Sequence, residues 1–147
     1  ENEVVVVVKP WSDEKKPVLK EQYRKAIEDY IEPYRLINTK VTVESARYAG
    51  ICVHGKIALE QNSPKTRKAV LERISRELSY TERKHPFGTV ISYGQLFTAL
   101  ENTEGVKKVL ELNLERTGNA ARKNDRGDVL LDADALGILE GTDLEFC

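Results

Sequence analysis

Valine fills every position from Val4 to Val8, and Lys9-Pro10 closes the run. Unbroken β-branched residues bounded by proline predict a strand buried on both faces, central in a sheet. Polar residues 11–16 lead to Pro17, which suits the first turn of a helix because its missing N–H costs nothing there. Leu19, Tyr23, Ile27, Tyr30, Ile31 and Tyr34 then recur at helical spacing, with Lys20, Arg24, Glu28 and Glu32 on the opposite side. Pro33 ends that helix near Tyr34. Past Asn38 the period falls to two. Val41 and Val43 alternate with Lys40, Thr42 and Glu44, which predicts a short strand with one wet face. In a longer strand after Arg47, Ala49, Ile51, Val53, Ile57 and Leu59 point one way, and Tyr48, Cys52, His54 and Lys56 the other.

Ser63-Pro64 supplies an N-cap and a proline at the first helical position, and Val70, Leu71, Ile74 and Leu78 form the buried stripe of a helix reaching Tyr80. His85-Pro86-Phe87-Gly88 forms a turn into the extended Thr89-Val90-Ile91. Ser92 and Gln95 then make a capping box with Ile91 and Leu96 as its hydrophobic staple, and Leu96, Phe97 and Leu100 face the core. Gly105 sits where a helix-ending residue belongs. In the strand Val106 to Leu114, simple alternation turns Leu110, Leu112 and Leu114 inward and leaves Val109 and Glu111 outward on a sheet edge.

The order strand, helix, strand, strand, helix, short helix, strand is β-α-β-β-α-β with an insertion, so the expected fold is α+β, a ferredoxin-like sandwich. In it, Val4–Val8 and Ala49–Leu59 are adjacent central strands. This domain spans residues 1–115. Residues 116–147 are expected to form a loop and a short extension packing on it or on a partner. Arg116 to Asp128 is polar, holds two glycines and has no periodicity, hence a flexible loop. Val129–Leu131 and Leu136–Leu139 are short apolar stretches beyond it, and Leu144–Cys147 adds a terminal strand.

Charge changes the picture of partners. Lys and Arg number 23 against 24 Asp and Glu, for a formal net charge of −1. A domain that grips nucleic-acid backbone carries a positive excess, so no nucleic-acid partner is expected. No run approaches the ~18 apolar residues of a membrane span, and mean hydropathy is −0.47. Cys52 and Cys147 are too few for a disulfide framework, which makes a reducing compartment the default. The chain has no methionine, so Glu1 reads as the start of an excised piece or of a processed chain, the former preferred. No basic and apolar leader precedes Val4.

Chemistry is sparse. Cys52 and His54 share a strand face, but a metal site needs further ligands and the other histidine, His85, lies in a turn. As a nucleophile pair they stand about 6–7 Å apart at the backbone. The glycines form no phosphate loop, and Asp132 and Asp134 lack the glycine and glutamate of a calcium loop. Glu101, Glu104, Glu111 and Glu115 read as solvated faces. The tyrosine stripe Tyr23, Tyr30 and Tyr34 reads as core, with hydroxyls at the rim. The sequence thus predicts no catalytic residue, no cofactor, no metal and no small-molecule substrate, and places function in contact surfaces.

The segment from His85-Pro86-Phe87-Gly88 through Leu96-Phe97, followed by Glu104-Gly105-Val106 and Val109, resembles the baseplate J-like family of contractile phage tails and phage-tail-like injection systems. The valine strand, Arg35-Leu36, Val41–Val43, Ala46-Arg47-Tyr48 and Ile51–Val53 occur in that family's order, and Val129–Leu131 to Ala135-Leu136 resemble its short C-terminal extension. Polar Glu82-Arg83-Lys84 stands where family members often carry a glycine-rich loop with tryptophan. The resemblance implies the C-terminal portion of a baseplate wedge protein: structural, without catalytic residues, in contact with other wedge subunits and prone to self-association. It implies cytoplasmic assembly into the baseplate of a virion or tail-like particle. The expected contact surface is the edge, loop and tail, with Val109, Glu111, Arg116, Arg122, Arg126, Leu130 and Leu136. Two other readings stay open. One is a ferredoxin-like regulatory domain binding a small-molecule effector. The other, without an acid–base pair to support it, is a nucleotide- or RNA-handling enzyme.

Overall fold

The structure is a computed structural model that describes residues 2–78 and 87–147. The predicted helix end at Ser79-Tyr80 and the His85-Pro86 half of the predicted turn lie outside the described residues. The chain divides into two compact units, Glu1–Arg47 and Tyr48–Cys147.

In the first unit, β1 (Asn2–Val8), α1 (Glu21–Ile31) and β2 (Thr39–Ser45) follow in order, with a single 3-10 turn at Glu32–Tyr34 after the helix. β1 and β2 pair in parallel from Asn2↔Thr39 to Val8↔Ser45, as a strand–helix–strand crossover permits. α1 begins at Glu21 rather than Pro17. Lys20 stands at its N-cap in extended backbone and offers no side-chain cap. The helix is tied to β2 by two bonds: the Val43 N–H donates to Glu28 Oε1 at 3.1 Å, and the Leu19 N–H before the helix donates to Ser45 Oγ at 2.9 Å. Along α1, Arg24 bridges Glu21 and Glu28, one turn on either side.

The second unit contains β3 (Arg47–Leu59) from Tyr48 onward, α2 (Pro64–Leu78), β4 (Val90–Ile91), α3 (Tyr93–Glu101), β5 (Val106–Thr117), β6 (Ala121–Lys123), β7 (Val129–Leu131) and β8 (Ala135–Phe146). β3 lies between β5 and β8 in one three-stranded sheet, and β7 lies between β4 and β6 in another. β3 and β5 are antiparallel. On the other side the Cys147 N–H donates to Ile57 O (3.1 Å) and its carbonyl accepts from the Leu59 N–H (2.8 Å), the one-to-two pattern of parallel pairing. α2 and α3 pack on each other, α2 against β8 and α3 against β5. Ala49, Ile51, Val53, Ile57 and Leu59 are all buried, as their alternation predicted, and join Val70, Ile74, Leu78, Leu96, Leu100 and Leu114 in the core. Both predicted helix starts hold: Ser63 Oγ accepts from the Thr66 N–H at 3.2 Å and Ser92 Oγ from the Gln95 N–H at 3.2 Å.

The α+β class stands, and among the described residues the strand pairing does not follow the expected ferredoxin-like sheet. β1 pairs with β2 in a sheet separate from that of β3. Valine content gives β1 its strand propensity, yet burial depends on what packs against it, and α1 lies against β2. Val4 and Val5 are consequently 46% and 47% exposed. Tyr23, Tyr30 and Tyr34 are exposed rather than core, because neither α1 nor the 3-10 turn after it buries any residue. β5 runs through to Thr117, and β8, from the expected 116–147 extension, shares a sheet with β3.

Lys56 pairs with Glu111 and Ile57 with Val109, so Leu110 is the extra residue of a β-bulge. The bulge reverses the alternation: Leu112, Leu114 and Val109 are buried, while Leu110 is 46% exposed. Residues 116–128, expected as a flexible loop, instead end β5, form β6 and close a turn at 124–128.

Candidate functional site

The turn at 124–128 joins β6 to β7 and reaches the start of α3. The Asn124 N–H donates to Asp128 O at 3.0 Å, and the Gly127 N–H to Asn124 O at 3.2 Å. Asn124 Oδ1 accepts from the N–H groups of Arg126 (2.9 Å) and Asp128 (3.0 Å). Gly127 adopts φ +86°, a left-handed conformation that glycine takes without strain. Asp128 then reaches out of the turn: its Oδ1 accepts from the Tyr93 N–H at 2.8 Å, satisfying an orphan donor at the start of α3. Replacing Asp128 with alanine is expected to lower stability by about 1–2 kcal/mol in thermal denaturation. Asp128→Asn, which keeps an acceptor, recovers part of it.

The seven residues expected at the contact surface separate into two groups. Val109 and Leu136 are buried, Val109 through the bulge and Leu136 at the start of β8, so neither lines the surface. Glu111, Arg116, Arg122 and Arg126 are exposed and Leu130 is half-buried. Their elements adjoin. Lys123 Nζ on β6 donates to Glu115 Oε1 on β5 at 2.9 Å. That hydrogen bond from the ammonium, aided by its charge, holds the Glu115 carboxyl below the usual carboxylate range. The folded value lies below the unfolded one, so the pair's contribution is present above the ordinary carboxylate range and is lost as pH falls through the lowered value. Both groups reach solvent, and salt screens them.

Arg122 pairs with Leu130 across β6–β7, and Leu130 pairs with Val90 across β7–β4. Residues directly opposite share a face, so Val90, Leu130 and Arg122 form one row across the small sheet. The other face carries Ile91, Val129, Leu131 and Ala121, all buried. The outward row mixes apolar area with an arginine, and Val90 is 52% exposed. Leu110 at the bulge and Leu71, expected in the buried stripe of α2, are also exposed on this unit, and simple periodicity reveals none of the three.

An open groove of about 640 Å³ runs between α2 and α3, lined by Arg73, Glu77, Ser92, Gln95, Thr98 and Asn102 among others. Arg73 Nη2 meets Glu77 Oε1 at 3.2 Å. Cys52 is half-buried on β3. His54 Nδ1 faces Asp143 Oδ2 at 3.6 Å on β8, both side chains exposed. Among the described residues no three His, Cys, Asp or Glu side chains cluster as metal ligands would. No helix is long and apolar enough to cross a membrane among those residues.

No protein-family model and no curated protein matches the chain. Among solved structures, a chain of the six-fold symmetrised cryo-EM structure of the anti-feeding prophage baseplate matches with a TM-score of 0.70 over 95% of this chain, at 14% identity. The two share a fold. This chain spans 29% of that baseplate chain's length. At such low identity the agreement is one of backbone architecture, reached with different side chains.

Proposed function

We propose that the chain is a structural module of the baseplate of a contractile phage tail or prophage-derived injection particle. In this reading it belongs to the C-terminal region of a baseplate J-like wedge protein and acts by contact with neighbouring wedge subunits, without catalysis. The observation that carries the proposal is the fold shared with an anti-feeding prophage baseplate chain over 95% of the residues. The outward face of the small sheet supports it: the exposed Val90–Leu130–Arg122 row sets apolar area beside a charge, the composition of a protein–protein contact.

Val90→Asp combined with Arg122→Glu tests the surface, since both positions are exposed and the variant is expected to melt close to the parent. Its occupancy in purified particles, measured by quantitative mass spectrometry, is expected to fall at least about tenfold, the loss of one well-buried contact. Occupancy equal to the parent's would remove this face from the interface.

A further inference from the structure

β1 and β2 treat their outer edges differently. On β2 the outward Val43 N–H is taken by Glu28 Oε1 at 3.1 Å, and the outward Thr39 carbonyl accepts from Arg35 Nη1 at 3.2 Å. On β1, the Asn2 N–H donates to Asn38 O and the Val8 carbonyl accepts from the Ala46 N–H, both at 2.9 Å. Even-numbered residues of β1 therefore direct their backbone groups to β2, and Glu3, Val5 and Val7 turn theirs to the open edge. Among the described residues β2 is the sole strand neighbour of β1. Natural edges of this length are blunted by an internal charge, a proline or a bulge. β1 has none of these between Glu3 and Lys9, and its Val4 and Val5 are about half exposed.

We propose that β1 pairs with β1 of a second copy of this chain, antiparallel, about a two-fold axis at Val6. The run Glu3-Val-Val-Val-Val-Val-Lys9 is complementary to itself in that direction. Val6 opposes Val6, Val5 opposes Val7, Val4 opposes Val8, and Glu3 opposes Lys9 twice by symmetry. The outward-directed residues Val5 and Val7 then form the hydrogen-bonded pairs. Shifting the register by two residues keeps those bonds but leaves Glu3 or Lys9 facing valine. A shift by one puts the backbone groups out of phase. Lys9 also has a contact within its own chain, and an ammonium with three donors accommodates a carboxylate from the second copy as well. This inference does not rest on the baseplate reading.

Sedimentation equilibrium of the 147-residue chain tests it. The expected result is a concentration-dependent rise from 16.6 kDa to about twice that mass. Val7→Pro removes an outward N–H and no bond to β2, and is expected to return the chain to monomer. Glu3→Lys, at an exposed position, is expected to raise the dimer dissociation constant about tenfold, and adding Lys9→Glu to restore it. If Val7→Pro loses its circular dichroism, the charge-reversal pair carries the test alone. The proposal is overturned by a monomer at every concentration, which is also the outcome if another protein's strand occupies the edge. A dimer indifferent to Glu3→Lys, or a double variant that fails to restore pairing, overturns it equally.

Discussion

Replacing Val53 with aspartate is expected to unfold residues 48–147 at room temperature or bring them to the brink of it. Val53 is fully buried at the middle of β3, the central strand of its sheet, directly opposite Leu114, which is also fully buried. A carboxylate there loses its hydration without gaining a partner, a cost of about 4–5 kcal/mol, against the ~5–15 kcal/mol that holds a domain of this size. The same exchange at Val6 is expected to cost roughly half as much or less, because that side chain is only half-buried and β1 has one strand neighbour among the described residues. Urea titration followed by circular dichroism distinguishes the two. Equal midpoints for Val53→Asp and the parent would mean that β3 is not at the core.

Gly55 carries the second large effect. A Cβ at Gly55 would lie 2.5 Å from the carbonyl oxygen of Glu111, closer than van der Waals contact allows. The obstacle is backbone, held in place beside the bulge at Leu110, so it has no rotamer by which to retreat. Gly55→Val is expected to lower stability by about 3 kcal/mol, or to expel the bulge and reset the β5 register. At Gly141 an added Cβ meets nothing within 4 Å, and Gly141→Val is expected to stay within about 0.5 kcal/mol of the parent. Guanidinium midpoints for the two variants check the difference, and similar values for both would contradict the close approach at Gly55.

What could be read from the sequence was local. The inward face of β3 follows from strict alternation, and the starts of α2 and α3 follow from Ser63-Pro64 and from Ser92, whose side chains bond the predicted N–H groups. Choice of strand partner was not legible. The apolarity of Val4–Val8 raises strand propensity wherever the strand pairs, and cannot tell parallel pairing with β2 from a central place beside β3. The bulge was hidden for a related reason: one inserted residue leaves composition unchanged and reverses every side chain beyond it, which moved Val109 inward and Leu110 outward. The 124–128 turn did leave a signal in Asn124, Gly127 and Asp128, but its flanking strands, at three residues each, are too short to show a period. Of the expected surface, Arg116, Arg122 and Arg126 are exposed, whereas Val109 and Leu136 are buried.

The central claim is a structural place in a baseplate, and cryo-electron microscopy of particles purified from cells that express the full-length polypeptide tests it most directly. The account predicts density for this fold within the baseplate, with the outward face of β4, β7 and β6 against a neighbouring subunit. Intact baseplates with no density for the fold, in particles from which mass spectrometry also finds the polypeptide missing, would contradict it.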